Sequence, residues 1–474
     1  MPEQQRLNPI SLPPVTTLRM LSLALCLAMP SASFALSLPQ AQQQLNAQSW
    51  QLKAQALDAE AWQQQAAATQ SLGLPRVDLT VAGIRYGKHI DIGKDLPIPV
   101  PLSLDIEREG IRSQINVMWP LSTGGKIQAT QAQAQAKVAE VESDQVMTQA
   151  KLNKALVDRY FAVQLSQRAL TVMQSAAATL DEHVYKAKRF EQEGMISRLS
   201  RIQAEVARDE IKRDLVETQA KDAVIRAGLA SLLNVPASDL PCLTHPLPTP
   251  QPLKSALTDL LAQAEQHNPA FAKLQAKAEQ AHQQLKIEQS AFKPEIFAVG
   301  SYDLNRRATP LTEPDWSVGI GAKWALTSGL DRRHLLRAAT LRQQQVSALT
   351  AQTSADLRLG VEQAYRQAQQ YQQQYTLLDR DLVLAHENAR LQQRSFEAGL
   401  STSLDATDAR LGVARSEVQR YQAAYAYVEA LTSLYELTGA LHELEPLMQQ
   451  LKLSNDSACP ASLSPFAQSP LAQS

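Results

Sequence analysis

The sequence predicts a mostly α-helical chain with a β-barrel part, in which a β-hairpin followed by two long coiled-coil helices occurs twice. Three observations carry this prediction. No proline lies between Pro120 and Pro236 or between Pro314 and Pro446, so uninterrupted helices of unusual length are allowed there. Trp119-Pro-Leu-Ser-Thr-Gly124 recurs as Trp324-Ala-Leu-Thr-Ser-Gly329 at an offset of 205, and Gly194 recurs as Gly399 at the same offset, which marks an internal duplication. Just before each tryptophan the hydrophobic period changes from helical to two.

The first element is an address. Arg6 and Arg19 precede an apolar stretch from Met20 to Met29 and the small-residue run Ser31-Ala32-Ser33-Phe34-Ala35, the layout of a secretory signal, residues 1–35, cleaved after Ala35. Leu23-Ala24-Leu25-Cys26 resembles a lipoprotein box, but Leu25 occupies the place where a small residue is required. Export leaves Cys242 and Cys459 in a compartment that permits disulfides. Their spacing leaves open whether they pair or stand separate and inert.

The first repeat then spans 36–240. An Ala/Gln-rich helix ends near Pro75, a β-hairpin occupies about 76–120, and long helices follow at about 124–193 and 197–234. The 68 residues between Gly125 and Gly194 lack glycine as well as proline, and a helix filling them would be on the order of 100 Å long. A proline-rich linker, 241–252, leads to the second repeat, 253–445, with a hairpin at about 295–325 and helices at about 329–398 and 401–440. Pro75 and Pro294 are 219 apart, so the first half carries 14 extra residues, which belong to a loop. The tail, 446–474, is rich in Ser, Pro and Gln and is expected to be partly disordered.

The strands have two unlike faces. Ile111, Ser113, Ile115, Val117 and Trp119 alternate with Arg112, Gln114, Asn116 and Met118; Trp316, Val318, Ile320, Ala322 and Trp324 alternate with Ser317, Gly319, Gly321 and Lys323. Their lengths suit an oblique bilayer crossing, and tryptophans at strand ends suit an interfacial belt. The partner strands, near Val77 to Val81 and Ile296 to Tyr302, alternate less cleanly. Four strands cannot close a barrel wide enough to conduct, so this chain must oligomerise to form one. In the helices, Leu404, Leu411, Val418 and Tyr425, and likewise Leu377, Leu384 and Leu391, repeat every seven residues as packing seams. Tyr160, Tyr365 and Tyr371 are read as seam fillers.

Composition excludes several functions. Lys plus Arg total 46 against 47 Asp plus Glu, which gives no footprint for nucleic acid. No run of 18 apolar residues follows the N-terminus, which excludes a helical membrane span but not a barrel. The run from Ser122 to Ile127 lacks the flanking residues of a phosphate loop, Gly319 and Gly321 lack a third glycine, and His442-Glu443 lacks the second histidine of a zinc protease. No catalytic residue, cofactor or metal is expected.

Gly194 and Gly399 are read as the stops of two helical hairpins. Asp405 and Asp408, three apart after Gly399, share a helix face. They either support the helix dipole or, in a symmetric ring of chains, form carboxylate rings that attract cations at a narrow entrance.

The whole series resembles a TolC-type outer-membrane efflux protein. The most specific piece is Ser395 to Ala409, "SFEAGLSTSLDATDA", and its weaker counterpart is Arg189 to Ala204. The resemblance implies a homotrimer that pools four strands per chain into a 12-stranded barrel held by outer-membrane lipid of a Gram-negative bacterium. Its long helices would form a periplasmic cylinder that receives substrates from an inner-membrane transporter through a periplasmic adaptor protein, in efflux or type I secretion. It implies the periplasmic entrance for Asp405 and Asp408, adaptor docking at the Gly194 and Gly399 turns, and strand-to-helix junctions at Trp119, Gly124, Trp324 and Gly329. Ser200 and Ser401 depart from the family's closing latch, and Arg198 and Arg201 are the candidate gate partners for the two aspartates. The insertion from Gly87 to Gly110 would lie outside the cell. The alternative is a periplasmic or secreted helical scaffold without a pore, and the cargo is left open.

Overall fold

The computed structural model describes residues 36–85, 109–305, 314–327 and 329–440. The signal sequence, most of the first insertion, and the tail with Cys459 lie outside the described residues. Two short helices, α1 (Leu38–Gln48) and α2 (Trp50–Thr69), lead to strands β1 (Arg76–Arg85) and β2 (Glu109–Ser122). The long helices α3 (Lys126–Gln192) and α4 (Arg198–Leu232) follow. The second repeat has α5 (Leu257–His267), α6 (Pro269–Ser290), β3 (Glu295–Asn305), β4 (Trp316–Lys323), α7 (Arg332–Glu397) and α8 (Ser403–Leu437). The duplication read from the sequence is therefore a duplication of elements, with long helices of 67 and 66 residues.

All four strands form one antiparallel sheet in the order β1-β2-β3-β4. The register aligns Val77 with Val117, Leu79 with Ile115, Ile115 with Tyr302, and Tyr302 with Trp316. One face of the sheet is therefore apolar from edge to edge, as Val77, Leu79, Ile115, Val117, Tyr302, Val318 and Ile320 stand together on it. The other face carries Asp78, Thr80, Arg112, Gln114, Asn116, Ser301, Asp303, Ser317 and Lys323. Among the described residues nothing covers the apolar face: Val318 and Ile320 are each 77% exposed. On the polar face Arg112 grips Asp303 with two hydrogen bonds of 3.2 Å.

The two hairpins are anchored alike. The indole Nε1 of Trp119 donates to the Gly73 carbonyl at 3.1 Å, and that of Trp324 donates to the Phe292 carbonyl at 3.3 Å. These acceptors are 219 residues apart, the same offset as Pro75 and Pro294. The glycines beside the tryptophans differ, however. Gly124 has φ +64° and lies so close to Lys293 that an added Cβ would come within 2.8 Å of the lysine Cβ, whereas Gly329 has open space and no left-handed φ. The sequence equivalence of these two junctions does not extend to their backbones.

The main core lies at mid-length of the helices. Leu156, Val157, Tyr160 and Phe161 of α3 pack against Leu45, Leu229, Leu233 and Val428. Leu36 pairs with Leu243 of the linker in a short parallel bridge, so the two segments that flank the first repeat are stitched together. The buried Tyr160 hydroxyl donates to the Leu36 carbonyl at 2.8 Å and accepts from the His245 amide at 3.0 Å. Beside the bridge, Cys242 is disulfide-bonded; the other two cysteines lie outside the described residues.

The two heptad seams part company. Leu411 packs with Leu180 and Ile211, and Tyr425 joins the main core. On α7, Leu377, Leu384 and Leu391 are exposed, Leu384 at 68%. The expectation of a packed seam there is not met within one chain.

Replacing Tyr160 by Phe takes the acceptor from the part-buried His245 amide and one of two donors from the Leu36 carbonyl, which still accepts from the Thr244 amide at 3.1 Å, and this costs about 1 kcal/mol. The expected result is a lower urea midpoint for loss of helical circular dichroism, with the spectrum of the folded protein unchanged.

Candidate functional site

Both helical hairpins turn in the same way. Gly194 has φ +75° and Gly399 φ +72°, and the following amides of Met195 and Leu400 each reach back five residues, to the carbonyls of Phe190 and Ser395, at 2.8 Å. This is the bond pattern of a helix stopped by a left-handed glycine. Each return helix opens on a hydroxyl cap: Ser197 accepts from the Ser200 amide and Thr402 from the Asp405 amide.

Ser200 and Asp405 thus occupy the same third helical position, and they behave differently there. The Asp405 carboxylate accepts from the Thr402 hydroxyl at 2.6 Å and from its amide at 3.0 Å, closing a capping box. The Thr402 side chain, and then its backbone, hold the Asp405 carboxyl below the usual aspartate range. Asp408 is exposed and has no side-chain partner among the described residues. Asp405 is therefore held in its ionised form, and both aspartates are exposed at the tip.

The arginines expected to pair with them do not do so within the chain. Arg201 donates to Glu191 at 2.6 Å and to Glu205 at 2.6 Å, and Lys188 approaches Glu205 at 3.3 Å. This network closes the first hairpin on itself, because Glu205 lies one turn along α4 and Glu191 faces it from α3. Arg198 is exposed and makes no ion pair among the described residues.

The contacts that join the two hairpins near the tip involve other residues. His183 of α3 is fully buried, with Nε2 2.9 Å from Ser403 Oγ of α8 and its ring 4.9 Å from that of Phe396 of α7. Its Nδ1 has no hydrogen-bond partner among the described residues. Arg410 of α8 donates to the Thr179 carbonyl of α3 at 2.9 Å and to Gln393 of α7 at 2.6 Å. Lys186 bridges Glu182 and Glu397. Burial, then the Arg410 charge, with Lys186 adding to it, lower the pKa of His183 from 6.5 to about 4, so the ring is neutral. Nothing in the sequence pointed to His183, since one histidine among eight scattered ones carries no pattern; only a three-helix contact singles it out.

The sheet with a bare apolar face, joined to rods of this length, defines a class of membrane-barrel protein with a helical extension. The chain matches the family described as outer membrane efflux protein over residues 41–235 and 260–440, and it belongs to that family. Solved structures of similar fold include the outer membrane protein VceC from Vibrio cholerae, with a TM-score of 0.71 and 16% identity over 85% of this chain and 96% of that one. The CmeC outer membrane channel of Campylobacter jejuni follows with a TM-score of 0.72 and 13% identity over 88% and 90% of the two chains. The open state of the MtrE outer membrane channel of Neisseria gonorrhoeae has a TM-score of 0.68 and 19% identity over 85% and 89%. No curated protein sequence matches the chain.

The His183 contact has a worked pH dependence. Parting the hairpins frees the ring to its ordinary pKa of 6.5, so above that pH the contact is at full strength. As pH falls from 6.5 towards 4, the parted state takes up a proton first, and the joint weakens by about 1.4 kcal/mol per pH unit. Hydrogen exchange at the α3 and α8 tip amides, corrected for intrinsic rates, should lose protection across that window in wild type. A His183→Asn variant should show a flat profile.

Proposed function

We propose that three copies of this chain form an outer-membrane duct that conducts substrates from the periplasm to the exterior. The observation that carries this reading is the four-stranded sheet with its uncovered apolar face and its two open edges. Four is even, so β4 of one copy meets β1 of the next antiparallel, and three copies close a ring of twelve strands without a free edge. The apolar face then meets lipid and the Arg112–Asp303 face lines water. The exposed α7 seam of Leu377, Leu384 and Leu391 supports the same assembly, since a neighbouring subunit supplies the missing side.

The helices extend on the order of 100 Å from the sheet, which suits a rod reaching across the periplasm. At its far end Asp405 and Asp408 form two rings of three acidic side chains at the entrance, the Asp405 carboxyl held in its ionised form by its capping box. Arg198, which makes no ion pair among the described residues, is available to a neighbouring subunit as a gate partner; Arg201 is already engaged. The turns at Gly194 and Gly399 expose Met195, Leu199 and Leu400, and this apolar tip is where a periplasmic adaptor would dock and link the duct to an inner-membrane transporter, in efflux or in type I secretion. Its role is conduction, with the pump selecting the cargo.

In a planar bilayer under a salt gradient, the purified protein should give cation-selective steps. Asp405→Asn with Asp408→Asn should lower that selectivity severalfold without abolishing conductance. Unchanged selectivity would remove the carboxylate rings from the entrance, and release of the protein by osmotic shock, without membrane association, would favour a pore-less scaffold.

A further inference from the structure

The second strand-to-helix junction carries positive charge that conduction does not use. From Trp316 to Ala355 the chain has one acidic residue, Asp331, against Lys323, Arg332, Arg333, Arg337 and Arg342. Three of these arginines fall in the first two turns of α7, the end at which the helix dipole disfavours cations. In the first repeat the equivalent positions, 205 residues earlier, hold Ile127, Gln128 and Ala132. The duplicated fold therefore does not require the charge.

Arg332 is tied down, donating to the Ala291 carbonyl at 2.8 Å. Arg333 and Arg337, one turn apart on a shared face, are exposed, and their side chains make no ion pair among the described residues. Close by in the chain, Trp324, Leu326 and Leu330 are 60%, 78% and 70% exposed. Trp324 continues the apolar face of β4 past its last residue, so the patch begins where the lipid-facing strand ends. Apolar side chains followed by arginines at that depth form a surface that is oily on the membrane side and cationic on the water side.

We propose that this patch binds the headgroups of anionic phospholipids in the periplasmic leaflet, with Leu326 and Leu330 against acyl chains and Arg333 and Arg337 against the phosphate. Guanidinium forks match phosphate oxygens, and each cation near an anionic surface adds to the attraction. The inference rests on the outer-membrane reading above.

The test uses the full chain in phosphatidylcholine vesicles, with phosphatidylglycerol spin-labelled on its acyl chain as probe and spin-labelled phosphatidylcholine as reference. Electron paramagnetic resonance reads the fraction of each lipid held at the protein surface. Wild type should retain phosphatidylglycerol preferentially, and R333Q/R337Q should weaken its retention at this site on the order of tenfold. R333K/R337K should keep most of the preference, which separates lost charge from lost folding. Equal retention of the two lipids by wild type, an unchanged preference in R333Q/R337Q, or displacement by inorganic phosphate beyond that by chloride at matched ionic strength would overturn the proposal. No surface-held lipid of either kind would instead sink the membrane-barrel reading itself.

Discussion

An unpaired strand edge cannot be left in lipid, because no water is there to bond its amides. Everything else in this molecule follows from that constraint and from the sheet it acts on. The sheet presents an apolar face that none of the described residues covers, and its outer strands, β1 and β4, each have a neighbour on one side only among them. A soluble protein would bury that face against its helices. Here the helices leave the sheet at the end marked by Gly124 and Trp324, and the proposed assembly satisfies the sheet with lipid on one face and copies of itself at both edges.

The helices answer a different demand. Rods this long, paired as hairpins, have no thick core over most of their length, so they must pack closely through narrow seams. Alanine is suited to this, being the best helix former and small enough to let backbones approach. Ala187, Ala204, Ala368 and Ala406 are all buried where two helices meet. The bulky side chains are concentrated at mid-length around Tyr160, Phe161 and Leu243, where the short helices and the linker add a second layer. That thicker waist is also where the start of the described chain, at Leu36, and the link between repeats are tied together.

Most of the fold was legible in the sequence because it rests on local rules. Missing prolines allowed the long helices, the glycines at 194 and 399 stopped them, and strict alternation in β2 and β4 assigned both faces of the sheet correctly. Strand β3 was harder to read because Phe297 and Val299 stand on the polar side. The Phe297 ring covers Gly321, where a Cβ would come within 2.6 Å of it, so glycine on one strand makes room for an aromatic on the next. Register shifts between Ser113 and Gln114 and between Pro120 and Ser122 blurred the pattern further. At the tip, the place of Asp405 in the first turn of a helix was legible as support for the dipole, but its capping box with Thr402 was not, and neither were the partners of Arg201. Glu191, ten residues back across a turn, competes with any aspartate on the second hairpin, and proximity decides in its favour.

The two hairpins are equal in plan but not in how their tips are held. The first is closed by Glu191, Arg201, Glu205 and Lys188, charges that bind α3 to α4 and involve no other helix. The tip of the second is held by its capping box, by the Ser401 hydroxyl donating to the Gln392 carbonyl at 3.3 Å and by Arg410 donating to Gln393 at 2.6 Å, and none of these brings a cation to the Asp405 carboxylate. What joins them is His183, Ser403, Arg410 and the Lys186 bridge, a joint that contains one buried neutral ring and a guanidinium whose pKa burial lowers. Any displacement of the second hairpin relative to the first must part these contacts while leaving each hairpin intact. The duplication therefore yields two hairpins that are each closed by their own helices but with different chemistry at the tip, and only the second also lends Ser403 and Arg410 to the joint between them.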